Sequence, residues 1–397
     1  VEPPSGDAGW LVGRRAELSR LVRDVRPAGL RVVPVVVGPS GIGKTRLSRA
    51  AARRLHEEGY LALHIQVAER PASLGDLYKL LTTRLGVSFS SLVGEALAAA
   101  VSAAFRRLLG EDWQEMLPAT AAQLGHGVGE LLAELFIELV ERARRGGRKG
   151  VVVFIDEAQN LFQGLEPGEL WGFIKSLSGL QEDTSLGGTG FQAVLITSEY
   201  SFQQRLLASS PGPDYLDTFY LGEMTRSDAL ALYQRLRGAA PSREEEELID
   251  AAAGGHPVHL GIAAKRGAEA LCRHIRRFQQ LFADQLGGGG ERVLQLLERL
   301  IEEPLPRTVE AVRLLGVFVE RVLLQYACGA YVGVYSWNTD CSEGDEAGCG
   351  GGGWCGGLDT VAASSRLARL GLALALGRVD SVPWLVRRLC GLPDASV

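Results

Sequence analysis

Apolar residues recur along this chain in two rhythms, and the switches between them outline the fold. The continuous runs Val32-Val33-Pro34-Val35-Val36-Val37 and VVVFI (151–155) carry no polar face. They predict strands over 31–37 and 151–155 that are buried on both sides. Residues 60–67 alternate through LALHIQV, FQAVLITS fills 191–198, and a fifth strand is expected over 218–221, after the turn cluster SSPGPD (209–214). Helical spacing fills the intervals. Leu18, Leu21, Val22 and Val25 mark an amphipathic helix within 10–26, and Thr45 to Glu58 forms another that Gly59 ends. Strand and helix in alternation predict an α/β fold with a parallel sheet covered on both faces.

Strands two and three are separated by a long helical stretch, about 68–148, read as an insertion into a core spanning 1–236. LGDLYKLLTTRLG, VGEALAAAVSAAFRRLLG and VGELLAELFIELVERARR are its clearest pieces, with apolar stripes that serve packing. Helices return with TRSDALALYQRLRG, SREEEELIDAAAGG and the long segment from His256, and predict an all-α lid over 237–300. The helix RTVEAVRLL (307–315) precedes a predicted hairpin of GVFVERVLLQY (316–326) and YVGVYSW (331–337). That order suggests a winged helix over 301–340. CSEGDEAGCGGGGWCGG (341–357) reads as a flexible linker, and 358–397 as two short helices without a functional reading.

A chain of 397 residues exceeds one ordinary core, so two or three domains are expected. A net charge of −5 carries no whole-chain signal for nucleic acid. Val1 to Asp7 lacks a basic-then-apolar start, and no uninterrupted apolar stretch is long enough to span a bilayer. A cytoplasmic protein is expected. The six cysteines form no C-x-x-C pair, so free thiols are expected. Metal binding or mutual pairing among Cys328, Cys341, Cys349 and Cys355 is the alternative.

The candidate chemistry begins at GPSGIGKT (38–45), placed between a strand and a helix. The pattern G-x-x-x-x-G-K-[ST] is complete, and its parts suit a nucleoside triphosphate. Gly38, Pro39, Ser40, Gly41, Ile42 and Gly43 supply a loop whose N–H groups cradle phosphate, and the helix dipole adds to them. Lys44 reaches the β- and γ-phosphates, Thr45 ligates Mg²⁺, and Arg46 follows within reach. FIDEAQNL (154–161) sets two carboxylates at a strand's C-terminal end, where ligands bind open α/β sheets. Asp156 is expected to complete the metal shell, and Glu157 to deprotonate the attacking water. The two motifs together predict adjacent strand ends in one site. Ser198, at the end of strand four, is a candidate γ-phosphate or water contact, set against an ordinary strand cap. Arg205 is a candidate arginine finger, set against a solvated surface arginine. Arg14 and the Gly-Gly-His-Pro turn at 254–257 complete the candidates; the plain reading of the turn is a helix cap followed by a proline stop. His256 and His259 carry no metal expectation.

The order VGRRAEL, GPSGIGKT, FIDEAQNL, ITSEYS, LGEMTRSDALAL and AAAGGHPVHL resembles the archaeal-type ATPases of the STAND branch of P-loop NTPases, over about residues 10–270. The resemblance implies an additional-strand P-loop core with the acidic strand beside the phosphate-loop strand, then a helical lid and a winged helix. It implies an ATP- and Mg²⁺-dependent switch, with Arg14 at the nucleotide edge and His256 and Pro257 closing over the nucleotide. Asp214 and Tyr215 stand where that family often has a Gly-Arg pair, which leaves Arg205 as the substitute. An origin-recognition AAA+ protein is the alternative, although His259 replaces its lid arginine. A nucleotide-gated scaffold with little hydrolysis is another. Implied partners are ATP, duplex DNA near Arg307 and Arg313, and a protein partner or a second copy; no membrane is implied.

Overall fold

Each strand of the central sheet sends alternate residues into two different cores. The computed structural model describes residues 11–29, 31–67, 99, 101–104, 106–107, 111, 124–162, 167–182, 189–198, 215–286, 295, 297–298, 305–306, 323–326, 360–363 and 366–392. Strands β1 (Val33–Val37), β2 (Leu61–Gln66), β3 (Gly150–Asp156), β4 (Gly190–Thr197) and β5 (Leu216–Tyr220) form a parallel five-stranded sheet in the order β2-β3-β4-β1-β5. On one face Val35, Leu63, Val153 and Leu195 join a core with helices α3 (Leu124–Arg145) and α5 (Pro167–Glu182). On the other, Val36, Ala62, Phe154 and Ile196 pack with α1 (Arg15–Asp24) and α2 (Lys44–Glu57). A short helix, α4 (Gln159–Phe162), follows β3. Burial on both faces accounts for the unbroken apolar runs of β1 and β3.

The sheet order corrects one expectation. The acidic strand is not beside the phosphate-loop strand: β1 pairs with β4 and β5, while β3 pairs with β2 and β4. Strand β4 stands between them, and Val37 lies level with Thr197, one residue beyond the Ile196 that faces Asp156. Buried apolar runs carry no record of their neighbours, so strand order is not contained in them.

After the sheet comes α6 (Arg226–Arg237), which ends where the expected lid begins and is capped by the Thr225 hydroxyl, which accepts from the Asp228 N–H. Helix α7 (Arg243–Leu248) opens on a capping box between Ser242 and Glu245 and runs into a π turn at Ile249–Ala253. Pro257 does not stop a helix; it is the first residue of α8 (Pro257–Leu286), where its missing N–H and preset φ are harmless. Gly267, at φ 72°, interrupts α8. Two helices near the C-terminus, α9 (Arg366–Ala375) and α10 (Trp384–Cys390), pack against α8. Cys272 and Cys390 form a disulfide between α8 and α10, which overturns the expectation of free thiols for that pair.

A second sheet follows the lid. Strand β8 (Thr360–Ala363) pairs antiparallel with both β6 (Leu305–Pro306) and β7 (Leu323–Tyr326). Leu323–Tyr326 pairs with residues 360–363, from beyond the Gly-rich stretch, and the hairpin partner expected at 331–337 lies outside the described residues. Residues 331–337, Arg307, Arg313, Cys328, Cys341, Cys349, Cys355 and most of the 68–123 insertion lie outside the described residues. Among the described residues, no helix is long and apolar enough to cross a membrane.

Candidate functional site

The loop after β1 closes on itself through Lys44. Its ammonium donates to the carbonyls of Gly38 at 2.8 Å and Pro39 at 2.9 Å, and the side chain is buried. Burial brings Lys44 down to about 8, with Glu157 and Asp156 acting in the opposite direction. Gly43, the N-cap of α2, sits at φ 103°, a conformation that L side chains resist. Gly38 is required for a different reason. A Cβ there would lie 2.4 Å from the Leu221 carbonyl oxygen, so the loop presses on the end of β5.

Helix α2 carries Thr45 across the sheet end to β3. The Thr45 hydroxyl donates to Asp156 Oδ2 at 2.6 Å, and Asp156 is 1% exposed. Burial pushes the Asp156 carboxyl up from its ordinary range, while the Thr45 bond favours the charged form. Behind this pair stands His64 on β2. The Ser48 hydroxyl donates to the Thr45 carbonyl at 3.1 Å, which leaves its oxygen to accept from His64 Nε2 at 2.8 Å. Burial takes His64 down to about 3, so the ring is neutral. Its 3.8 Å approach to Asp156 Oδ2 is therefore not an ion pair.

The chain turns sharply after Asp156. Glu157 has φ 56°, in the left-handed region. Gln159 Nε2 donates to Glu157 Oε2 at 2.5 Å, Ser198 Oγ donates to the same oxygen at 3.3 Å, and the Thr197 hydroxyl donates to Gln159 Oε1 at 2.9 Å. The end of the intervening strand β4 thus supplies Thr197, which bonds Gln159, and the next residue, Ser198, which reaches Glu157 directly.

The start of α8 touches the same loop. His256 Nε2 meets the Ser40 carbonyl at 3.1 Å, and a Cβ on Gly41 would lie 2.7 Å from Val258 Cγ2. His256 stacks on His259, with ring centroids 4.1 Å apart. Burial lowers His256 to about 4 and His259 well below its usual value. Arg14, buried and at φ 61°, joins core and lid: its guanidinium donates to the carbonyls of Gly222 at 2.5 Å and Ile42 at 3.4 Å, and its N–H to Asp228 at 3.3 Å.

Of the residues singled out from sequence, Lys44, Thr45, Asp156, Glu157, Ser198 and the loop 38–43 meet at one end of the sheet. Arg14, His256 and Pro257 border it. Arg46 is exposed on α2, and Arg205 lies outside the described residues. Gln159, His64 and Ser48 escaped the sequence reading. His64 carried a signal, because it shares the Ala62 face of β2, where a polar residue is out of place.

Residues 11–181 match the family model described as an AAA ATPase domain. That span holds Arg14, the phosphate loop and the Asp156-Glu157 pair, and ends before β4. No curated protein matches the chain. Among solved structures, the Walker-type ATPase PABY2304 of Pyrococcus abyssi is 15% identical, with a TM-score of 0.45 over 91% of this chain and 96% of that one. The Orc1 protein of Aeropyrum pernix, solved in complex with DNA, is 17% identical, with a TM-score of 0.36 over 96% of each chain. A STAND protein with a tetratricopeptide repeat sensor from Pyrococcus horikoshii is 18% identical, with a TM-score of 0.34 over 77% of this chain and 36% of that one.

Proposed function

We propose that this chain binds ATP between its sheet and its lid and hydrolyses the terminal phosphoanhydride, and that nucleotide state sets the core–lid angle. The observation that carries the reading is the contact of Thr45 with Asp156, a hydroxyl and a carboxylate 2.6 Å apart at the mouth of the phosphate loop. Such hard oxygen ligands fit Mg²⁺, and these two residues would hold it. When bound, the ion neutralises charge on the β- and γ-phosphate oxygens. Lys44 adds a fixed cation beside the loop, and the loop N–H groups with the α2 N-terminus receive the phosphates. Glu157 takes the proton of the attacking water. His256 and Arg14 link the loop to the lid, so a ligand that favours one lid position shifts the population toward it.

The test is ATP turnover by the wild type beside Glu157→Gln, with nucleotide binding measured for both. Binding retained in the variant with turnover lost supports the reading. Tight binding without turnover in the wild type points to a nucleotide-gated scaffold.

The antiparallel sheet β6-β8-β7 after the lid favours an added element, a winged helix that binds duplex DNA. DNA-stimulated turnover and a salt-sensitive gel shift support it, and an absent or salt-independent shift removes it. The same reading places the protein in the cytoplasm and draws any missing arginine from Arg205, a protein partner or a second copy.

A further inference from the structure

Gln159 opens α4, two residues after Glu157, and is 9% exposed. Its amide bridges two strand ends. A carboxylate only accepts hydrogen bonds, so the amide NH₂ must face Glu157 and the carbonyl must face Thr197. The two contacts measure 2.5 Å to Glu157 Oε2 and 2.9 Å from the Thr197 hydroxyl. Ser198 Oγ adds a second donor to Oε2 at 3.3 Å. Among the described residues, no donor is bonded to Oε1.

Glutamate at φ 56° is an uncommon backbone state, and its side chain leaves the strand end at an angle that regular β structure does not offer. Three rotatable bonds then separate the carboxylate from the backbone. Gln159 removes much of that freedom, because its own far end rests on Thr197, which is fully buried in β4. Strand β4 lies between the phosphate-loop strand and the acidic strand, so the support comes from the middle of the site.

We propose that Gln159 is a positioning residue: it fixes Oε2 of Glu157 against Thr197 and leaves Oε1 to take the proton of the attacking water. The inference rests on the hydrolytic reading of this site. A general base works only within hydrogen-bond reach of its proton, and a misplacement of about 1 Å costs on the order of 100-fold.

The test compares ATP turnover and equilibrium nucleotide binding for the wild type, Gln159→Leu, Thr197→Val, Glu157→Gln and the double variant Glu157→Gln with Gln159→Leu. Gln159→Leu is expected to lower kcat by about 10- to 100-fold and to move KM by less than about threefold. Thr197→Val, which nearly keeps shape, lowers kcat in the same direction by a smaller factor. In the double variant, turnover equals that of Glu157→Gln alone, because the glutamine acts through the carboxylate. Unchanged kcat in Gln159→Leu, with Glu157→Gln inactive, overturns the inference and leaves the hydrolytic reading intact. Losses that multiply in the double variant assign Gln159 to packing and also overturn it. If Gln159→Leu does not fold, Thr197→Val decides, and its unchanged kcat is the overturning result. A wild type without turnover, or one insensitive to Glu157→Gln, removes the hydrolytic reading and this inference together.

Discussion

His256 Nε2 lies 3.1 Å from the carbonyl of Ser40, so the residue that precedes the long lid helix touches the phosphate loop itself. Val258 closes on Gly41 beside it. On the proposed reading, a ligand seated on the loop would be sensed by the lid without an intermediary. ATP is expected to protect the lid from limited proteolysis in the wild type and to protect it much less in His256→Ala. Equal protection in both would remove this coupling.

Lys44 is held by two loop carbonyls and has no other anchor that a nucleotide would need to break among the described residues. On that reading Lys44→Ala removes a charge-assisted contact to phosphate, worth about 2–3 kcal/mol, or about 30- to 150-fold in affinity. Calorimetric titration with ATP checks this. Equal affinity in wild type and variant would sink the site assignment.

Acid stability follows from the buried imidazoles. His256 is lowered to about 4 and His64 to about 3, against an ordinary 6.5, and His259 is lowered as well. Below pH 6.5 the unfolded chain takes up protons that the folded chain refuses, so stability falls as pH falls toward 4. The slope approaches about 1.4 kcal/mol per pH unit for each histidine. Lys44 acts at the alkaline end: with its folded value near 8 and 10.5 unfolded, it adds stability as pH rises between the two. Melting curves from pH 7.5 to 5 are expected to steepen this way, and His256→Gln to flatten the acid slope by about one proton. An unaltered slope in the variant would contradict a neutral, buried His256.

The bond between Cys272 and Cys390 ties α10 to α8 across 118 residues. Loop entropy for a ring of that size corresponds to about 5 kcal/mol at most. Reduction, or Cys272→Ser, is expected to lower the unfolding temperature of the lid and to free the C-terminal helix for proteolysis. Peptide mapping without reductant should recover the Cys272–Cys390 pair; recovery of both as free thiols would disprove it.

Much of the phosphate-loop end of this molecule was legible from the chain alone. The runs at β1 and β3 and the complete phosphate loop depend on local chemistry, and Lys44, Thr45, Asp156 and Glu157 come together at one end of the sheet. The place of β4 was not legible, since Val194 and Ile196 look the same beside any buried strand. Gln159 was hidden for the same reason: its partner Thr197 is a neighbour only because β4 runs in the middle. Spacing could not show the Cys272–Cys390 pair either, because it forms only once α10 has folded back onto α8.

The disulfide also decides how the protein would transmit tension. A force applied at the chain ends passes from α8 to α10 through sulfur, and the 118-residue span between the cysteines carries none of it. That span, stretched out, would be about 400 Å long. The second sheet lies entirely inside this ring, so a pull strong enough to unfold the parallel sheet leaves it unloaded until the bond is reduced.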